Sequence, residues 1–196
     1  SQNAGSGSTV YGLGGLNSNN MTLVNSPTWG SGGVTFDRGS SQYGNAGDVY
    51  NGGDIYAAFQ VAINASPPTE IEALAGTIGS FVLWQRGDVA NDLLSAVRVS
   101  TGDVTGTQYS GPPTITSDRQ TLGFLLEDGV KPRFFHGEGA LSTTGNNVTS
   151  TKNLPDDVYI GAVNNGGSPD VYFLSGVLAC VLFICGTDSA PSDGQH

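Results

Sequence analysis

Retaining glycoside hydrolysis needs two carboxyl groups about 5–5.5 Å apart on facing or alternating positions. The chain offers two close acidic pairs, Glu70/Glu72 and Glu127/Asp128. The first follows Pro67-Pro68 and reads as loop; the second reads as a turn ahead of Gly129. Neither presents two carboxylates on one face of a strand. Nucleophilic chemistry has as little support. The histidines are His136, in FFHGEG beside Glu138, and His196, and neither lies near a Gly-x-Ser-x-Gly elbow. His136 reads as an exposed loop histidine. No His/Cys spacing suits zinc, and the glycine clusters GLGGLN and GSGG read as turns rather than phosphate loops. What remains is binding. Sugars are held by aromatic platforms with polar groups beside them, and Trp29, Trp84, Tyr109 and Tyr172 are available. The tryptophans have apolar flanks that point to core packing. Tyr109 and Tyr172, with His136 as a polar partner, are therefore the candidate glycan-binding residues.

The bulk composition narrows the partners. Seventeen acidic residues against seven basic ones give a formal charge of −10. A field of that sign repels the phosphates of nucleic acid and the headgroups of anionic membranes. Glycine supplies 30 of 196 residues, about twice the usual ~7 %, while charged residues are 12 %. That is the composition of a β protein with many turns and a weakly charged polar surface. The 37 % hydrophobic content is enough for one core.

The elements that must position any site are short β runs separated by turn clusters such as GSGG, NGGD, SPP, GPP, EDG and NNGG. Runs fall at 21–24, 34–36, 42–46, 55–63, 81–85, 94–99, 105–109, 121–127, 131–136, 158–162 and 171–184. Many short strands at this spacing predict a sandwich or barrel. In IYAAFQVAI, Ile55, Ala57, Phe59, Val61 and Ile63 alternate with Tyr56, Ala58, Gln60 and Ala62, giving one strongly apolar face. Asp128-Gly129 between two β runs predicts a hairpin. Pro132 then places the returning strand at or near a sheet edge. In DVANDLLSAV, a short helix capped by Asp88 and a loop entering a strand are both open. Residues 1–9 read as a flexible leader without the basic and apolar regions of a signal peptide, and 10–196 as one domain.

The most apolar stretch is VYFLSGVLACVLFICG. Its unbroken run of nine residues, 177–185, falls short of the about 20 a membrane-spanning helix needs. Cys180 and Cys185, five residues apart on one strand, would lie about 16 Å apart, too far for a disulfide. The run reads as a central strand covered on both sides, with Val177, Ala179, Val181 and Phe183 on one face and Leu178, Cys180, Leu182 and Ile184 on the other. Both thiols are expected to be free and buried.

The stretch LNSNNMTLVNSPTWGSGGVTFDRGSSQYGNAG resembles the opening of the concanavalin A-like lectin/glucanase superfamily, in particular its laminin-G-like jelly-roll members. The likeness rests on the Asn/Gly turn at 17–20, Thr22-Leu23, Pro27 with Trp29, Gly32-Gly33 and Phe36-Asp37. IYAAFQVAI and FVLWQRGD resemble that family's paired core strands, and Ile160-Gly161 through Val181 its last two. The resemblance implies an all-β, two-sheet antiparallel jelly-roll β-sandwich. It also implies a lectin-like role without catalysis, because the Glu-x-Asp-x-Glu motif of the superfamily's glucanases does not occur here. Relatives sometimes bind calcium through loop carboxylates, which makes Asp37, Asp48, Asp54 and Asp88, with Asp92 and Asp103, the metal candidates. The implied setting is extracellular or on a virion surface, as head-decoration or tail-appendage protein. The implied partners are glycans, a host-cell surface or other virion and surface proteins, with no nucleic acid and no membrane insertion. A carbohydrate-binding module of a secreted glycan-active enzyme is the alternative.

Overall fold

The computed structural model describes residues 7–12, 20–50, 52–63, 71–78, 80–86, 93–100, 103–108, 118–137, 139–141, 147, 157–170 and 172–186. Nearly all of them are strand or turn. In chain order the first strands are β1 (Thr9–Val10), β2 (Met21–Val24), β3 (Thr28–Gly30), β4 (Gly33–Phe36) and β5 (Tyr43–Asn45). The long strands follow: β6 (Asp54–Ile63), β7 (Ile71–Thr77), β8 (Phe81–Arg86), β9 (Leu93–Ser100), β10 (Asp103–Gln108) and β11 (Gln120–Leu126). Then come β12 (Arg133–His136), β13 (Gly139–Leu141), β14 (Tyr159–Ile160), β15 (Asn164–Asn165), β16 (Ser168–Pro169) and β17 (Gly176–Gly186). A 3-10 turn at Arg38–Ser40 is the helical element among the described residues. None of the helices described is long and apolar enough to cross a membrane.

Two sheets form a jelly-roll sandwich. The ten-stranded sheet runs β1-β2-β5-β14-β7-β8-β9-β10, with β15 and β16 attached beside β7. The seven-stranded sheet runs β13-β12-β11-β6-β17-β4-β3. Apart from the single β15–β7 pairing the ladders are antiparallel. Between the sheets lies one apolar core. Ile55, Ala57, Phe59, Val61 and Ile63 all point into it, as the alternation of IYAAFQVAI predicts. Phe59, Phe124 and Phe134 pack edge to face across neighbouring strands, with ring centres 5.8 and 5.6 Å apart. Phe81 of the first sheet stacks on Phe183 of the second at 5.4 Å, joining the layers.

The expected Asp128-Gly129 hairpin joins β11 to β12, with Gly129 at φ +74°. Pro132 sits just before β12, one strand in from the β13 edge. DVANDLLSAV resolves in favour of a strand: β9 begins at Leu93, and 87–92 lies outside the described residues. Most of the leader also lies outside them. Its last part is held, because Gly7 O accepts from Trp29 Nε1 at 2.8 Å and Ser8 O accepts from Leu23 N at 2.7 Å.

Three expectations about β17 are corrected. Its register slips between Leu178 and Cys180, so Ala179 forms a bulge. One extra residue reverses the alternation. Leu178, Val181 and Phe183 therefore share the core side, while Cys180, Leu182 and Ile184 face outward. The strand is also not covered on both faces: Leu182 and Ile184 are 46 % and 43 % exposed. Cys180 is a free, exposed thiol rather than a buried one, and the side chain of Cys185 lies outside the described residues.

Thr77 is fully buried on the core side of β7, paired with Phe81, and its hydroxyl has no hydrogen-bond partner among the described residues. Burying a hydroxyl without a partner costs about 1–3 kcal/mol. Thr77→Val keeps the shape and removes the orphan. It is expected to raise stability by about 1 kcal/mol, read as a higher urea midpoint with an unchanged slope; an unchanged or lower midpoint would count against this account of Thr77.

Candidate functional site

The outer face of the ten-stranded sheet is partly occupied by the chain itself. Ala73, Val82 and Trp84 point outward from β7 and β8, and Val163 and Tyr172 pack onto them. Tyr172, a candidate sugar platform, is half-buried and meets Trp84 edge-on at 5.9 Å and 72°. Its ring is therefore engaged in packing. Trp29 lies on the edge strand β3 and is partly buried against the core.

The outer face of the seven-stranded sheet differs, because no described layer covers it. Cross-strand pairs share a face, so its rows follow from the register. One row is Cys180, Gln60 and Thr121. The next is Leu182, Ala58, Gly123, Phe135 and Ala140. The third is Ile184, Tyr56, Leu125 and Arg133. The middle is shallow because Ala58 and Gly123 are small, and the Phe135 ring lies over Gly123. A Cβ added at 123 would stand 3.1 Å from that of Phe135. At one end Arg119 donates from Nη2 to Gly32 O at 2.8 Å. At the other, Arg133 pairs with Glu127 at 2.7 Å. The centre is uncharged: two half-buried aromatic rings, exposed aliphatic side chains, and the polar groups of Gln60 and Thr121. Such a surface can receive the apolar face of a sugar ring and hydrogen-bond its hydroxyls.

The other predicted residues do not converge here. His136 ends β12 rather than lying in a loop. It shares the core-side parity of Leu122 and is half-buried, with Nε2 3.1 Å from Gln120 Oε1. The Asp37 carboxylate is committed to capping the 3-10 turn, accepting from Gly39 N at 3.0 Å and Ser40 Oγ at 2.7 Å. Asp54 accepts from the Asp128 amide at 3.0 Å, and Asp48 is exposed. Tyr109, Asp88, Asp92 and the side chain of Asp103 lie outside the described residues. Among the described residues no three metal-ligating side chains gather in one place.

Glu72 also departs from its expected place. It belongs to β7, not to a loop, and is only 3 % exposed. Oε2 accepts from Ser175 N at 3.3 Å, and Oε1 lies 3.5 Å from Arg38 Nη2. Burial raises its pKa from the ordinary 4.5 to about 7, against the opposing pull of the Ser175 amide and the Arg38 charge. Arg38 in turn donates from Nε to Phe173 O at 3.0 Å and from Nη2 to Ile71 O at 2.7 Å. This arrangement ties the 3-10 turn, β7 and 173–175 together. It is a fastening rather than an acid–base pair.

Neither a family model nor a curated protein matches the sequence. Among solved structures the chain is similar to domain 4 of AbnA, a GH43 extracellular arabinanase from Geobacillus stearothermophilus, determined in complex with arabinotriose. The two are 12 % identical with a TM-score of 0.54, over 92 % of this chain and 77 % of that one. It is also similar to a mutant of Trypanosoma rangeli sialidase displaying trans-sialidase activity, at 13 % identity and a TM-score of 0.53. That match covers 84 % of this chain and 27 % of the sialidase. At such identities the likeness is one of fold alone, that of a β-sandwich.

Proposed function

We propose that this chain is a non-catalytic glycan-binding module displayed outside the cell, on a virion or cell surface, with the open face of the seven-stranded sheet as its sugar platform. The observation that carries the reading is the uncovered, uncharged strip of Tyr56, Phe135, Gln60 and Thr121 between the two arginine-marked ends. A folded chain leaves such an apolar strip exposed where it meets a partner. The fold likeness to a domain determined with arabinotriose supports a saccharide in that role. The non-catalytic part of the reading rests on the sequence, which lacks the Glu-x-Asp-x-Glu strand of the glucanases. A second reading, a carbohydrate-binding module of a secreted glycan-active enzyme, is favoured by the arabinanase parentage of that domain.

The test is a broad glycan array run with calcium and again with a chelator. A saturable hit is expected to weaken about fivefold in Tyr56→Ala and again in Phe135→Ala, since losing one stacked ring removes roughly 1 kcal/mol. A blank array in both conditions would sink the saccharide reading and leave decoration through protein contacts. Loss of a hit under chelator would show that binding needs calcium; unchanged binding would show that it does not.

A further inference from the structure

The segment 172–175 is fastened at several points that converge on one buried carboxylate. Ala73 N donates to Tyr172 O at 3.3 Å, Leu174 N to Gly161 O at 2.8 Å, and Ser175 N to Glu72 Oε2 at 3.3 Å. Arg38 holds the Phe173 carbonyl from the other side while facing Glu72. Glu72 itself is under-solvated: among the described residues it has one long hydrogen bond and one ion pair at 3.5 Å, where an ionised carboxylate accommodates about four donors. The titratable and charged groups on the elements around it are Arg38 and the capping Asp37 from the 3-10 turn, Tyr172 from the segment, Tyr159 on β14, and Arg86 on β8, whose side chain lies outside the described residues. On β8 its cross-strand neighbour is the uncharged Gln85, and on β7 Ile71 and Ala73 flank it. Beneath the segment, Trp84 Nε1 is also buried without a partner among the described residues. Two polar groups therefore gain water when 172–175 lifts.

We propose that 172–175 is a pH-operated latch: ionisation of Glu72 drives the segment away from β7, hydrating the carboxylate and uncovering Trp84. The direction follows from the burial. A carboxyl held neutral in the closed state and freely ionised in the open one makes opening more favourable as pH rises. The gain is tenfold per pH unit between the open-state and closed-state values, and amounts to about a hundredfold between pH 5 and 8. Rising pH therefore shifts the latch toward the open state and falling pH toward the closed one.

Hydrogen exchange at the amides of Ala73, Leu174 and Ser175, corrected for the intrinsic pH dependence of exchange, tests this on the intact chain. Their protection is expected to fall about a hundredfold from pH 5 to 8. At pH 8 they are expected to exchange well ahead of the central β6 amides and with little dependence on low urea, the mark of a local opening. Protection that stays flat across that range overturns the proposal. So does exchange that tracks β6 at every pH and urea concentration, because the segment then opens only with the whole domain. In Glu72→Gln, which keeps the shape, the pH dependence is expected to vanish; its persistence would assign the effect to another group. Should that variant not fold, the wild-type comparison decides alone.

Discussion

Replacing Gly33 with alanine is expected to destabilise the domain by about 3 kcal/mol or more, the largest single effect of any substitution considered. Gly33 opens β4 at φ +131°, a conformation that L side chains rarely adopt. A Cβ there would run into the carbonyl oxygen of Leu178 and would stand 2.7 Å from Ala179 Cα and 2.8 Å from Leu178 C. All three obstacles are backbone atoms of the β17 bulge, so no rotamer change relieves them. Relief requires β4 to part from β17, which breaks the register of Gly176 with Phe36, Val177 with Thr35 and Leu178 with Val34. It also frees β3, which is paired to β4 alone. Gly30 is the internal control. It faces Gly33 across the hairpin, and a Cβ at that position would meet nothing within 4 Å. Gly30→Ala is expected to lie within about 0.5 kcal/mol of the parent. Urea unfolding of both variants separates the cases, and equal midpoints would refute the steric account.

The second large effect is the pH dependence of global stability. Glu72 titrates near 7 in the folded chain and near 4.5 when free. Between those values the native state holds a proton that the unfolded state has released, so stability falls as pH rises. The group's contribution is complete below pH 4.5, declines through the interval and is gone above about 7. The interval corresponds to roughly 3 kcal/mol. This is the reverse of the usual salt-bridged carboxylate, whose pairing strengthens the fold as pH rises. Chemical denaturation at pH 5, 6, 7 and 8 is expected to show the decline. Glu72→Gln should flatten it, with Arg38 still occupied by the Phe173 and Ile71 carbonyls. A parent whose stability rises over that range would show that Arg38 outweighs the burial.

Much of the architecture was legible because its signals are local. The alternation in IYAAFQVAI fixes β6, and an Asp-Gly pair between apolar runs fixes the β11–β12 hairpin. Alternation also placed Tyr56 and Gln60 on the outward side, where the open face has them. β7 was not legible. IEALAGT lacks a period of two, contains alanine and glycine, and follows SPPTE, so local chemistry argues for a loop. Its strand character comes from its neighbours, the following strand β8 on one side and the sequence-distant β14 on the other. Missing β7 hid Glu72, because a glutamate in a loop carries no sign of burial. The outward row on β17 was missed for a different reason. A nine-residue apolar run reads as covered on both faces, and nothing local marks Ala179 as the residue that slips the register. The bulge needs Gly33, some 145 residues earlier, to make room for it.

The placement of the outermost strands in sequence, β1 and β17, gives the domain a mechanical polarity. β1 lies at the rim of its sheet and shares two residue pairs with β2, so tension applied through it peels the pairs open one after the other. β17 lies between β6 and β4, and its ladder with β6 extends from Gly176 to Gly186. Tension along β17 loads that whole ladder at once, in shear, and must also pull Leu178, Val181 and Phe183 through the core. A particle or surface that carried this domain by its β17 end would hold it by the strong grip, leaving the β1 end as the one that yields first.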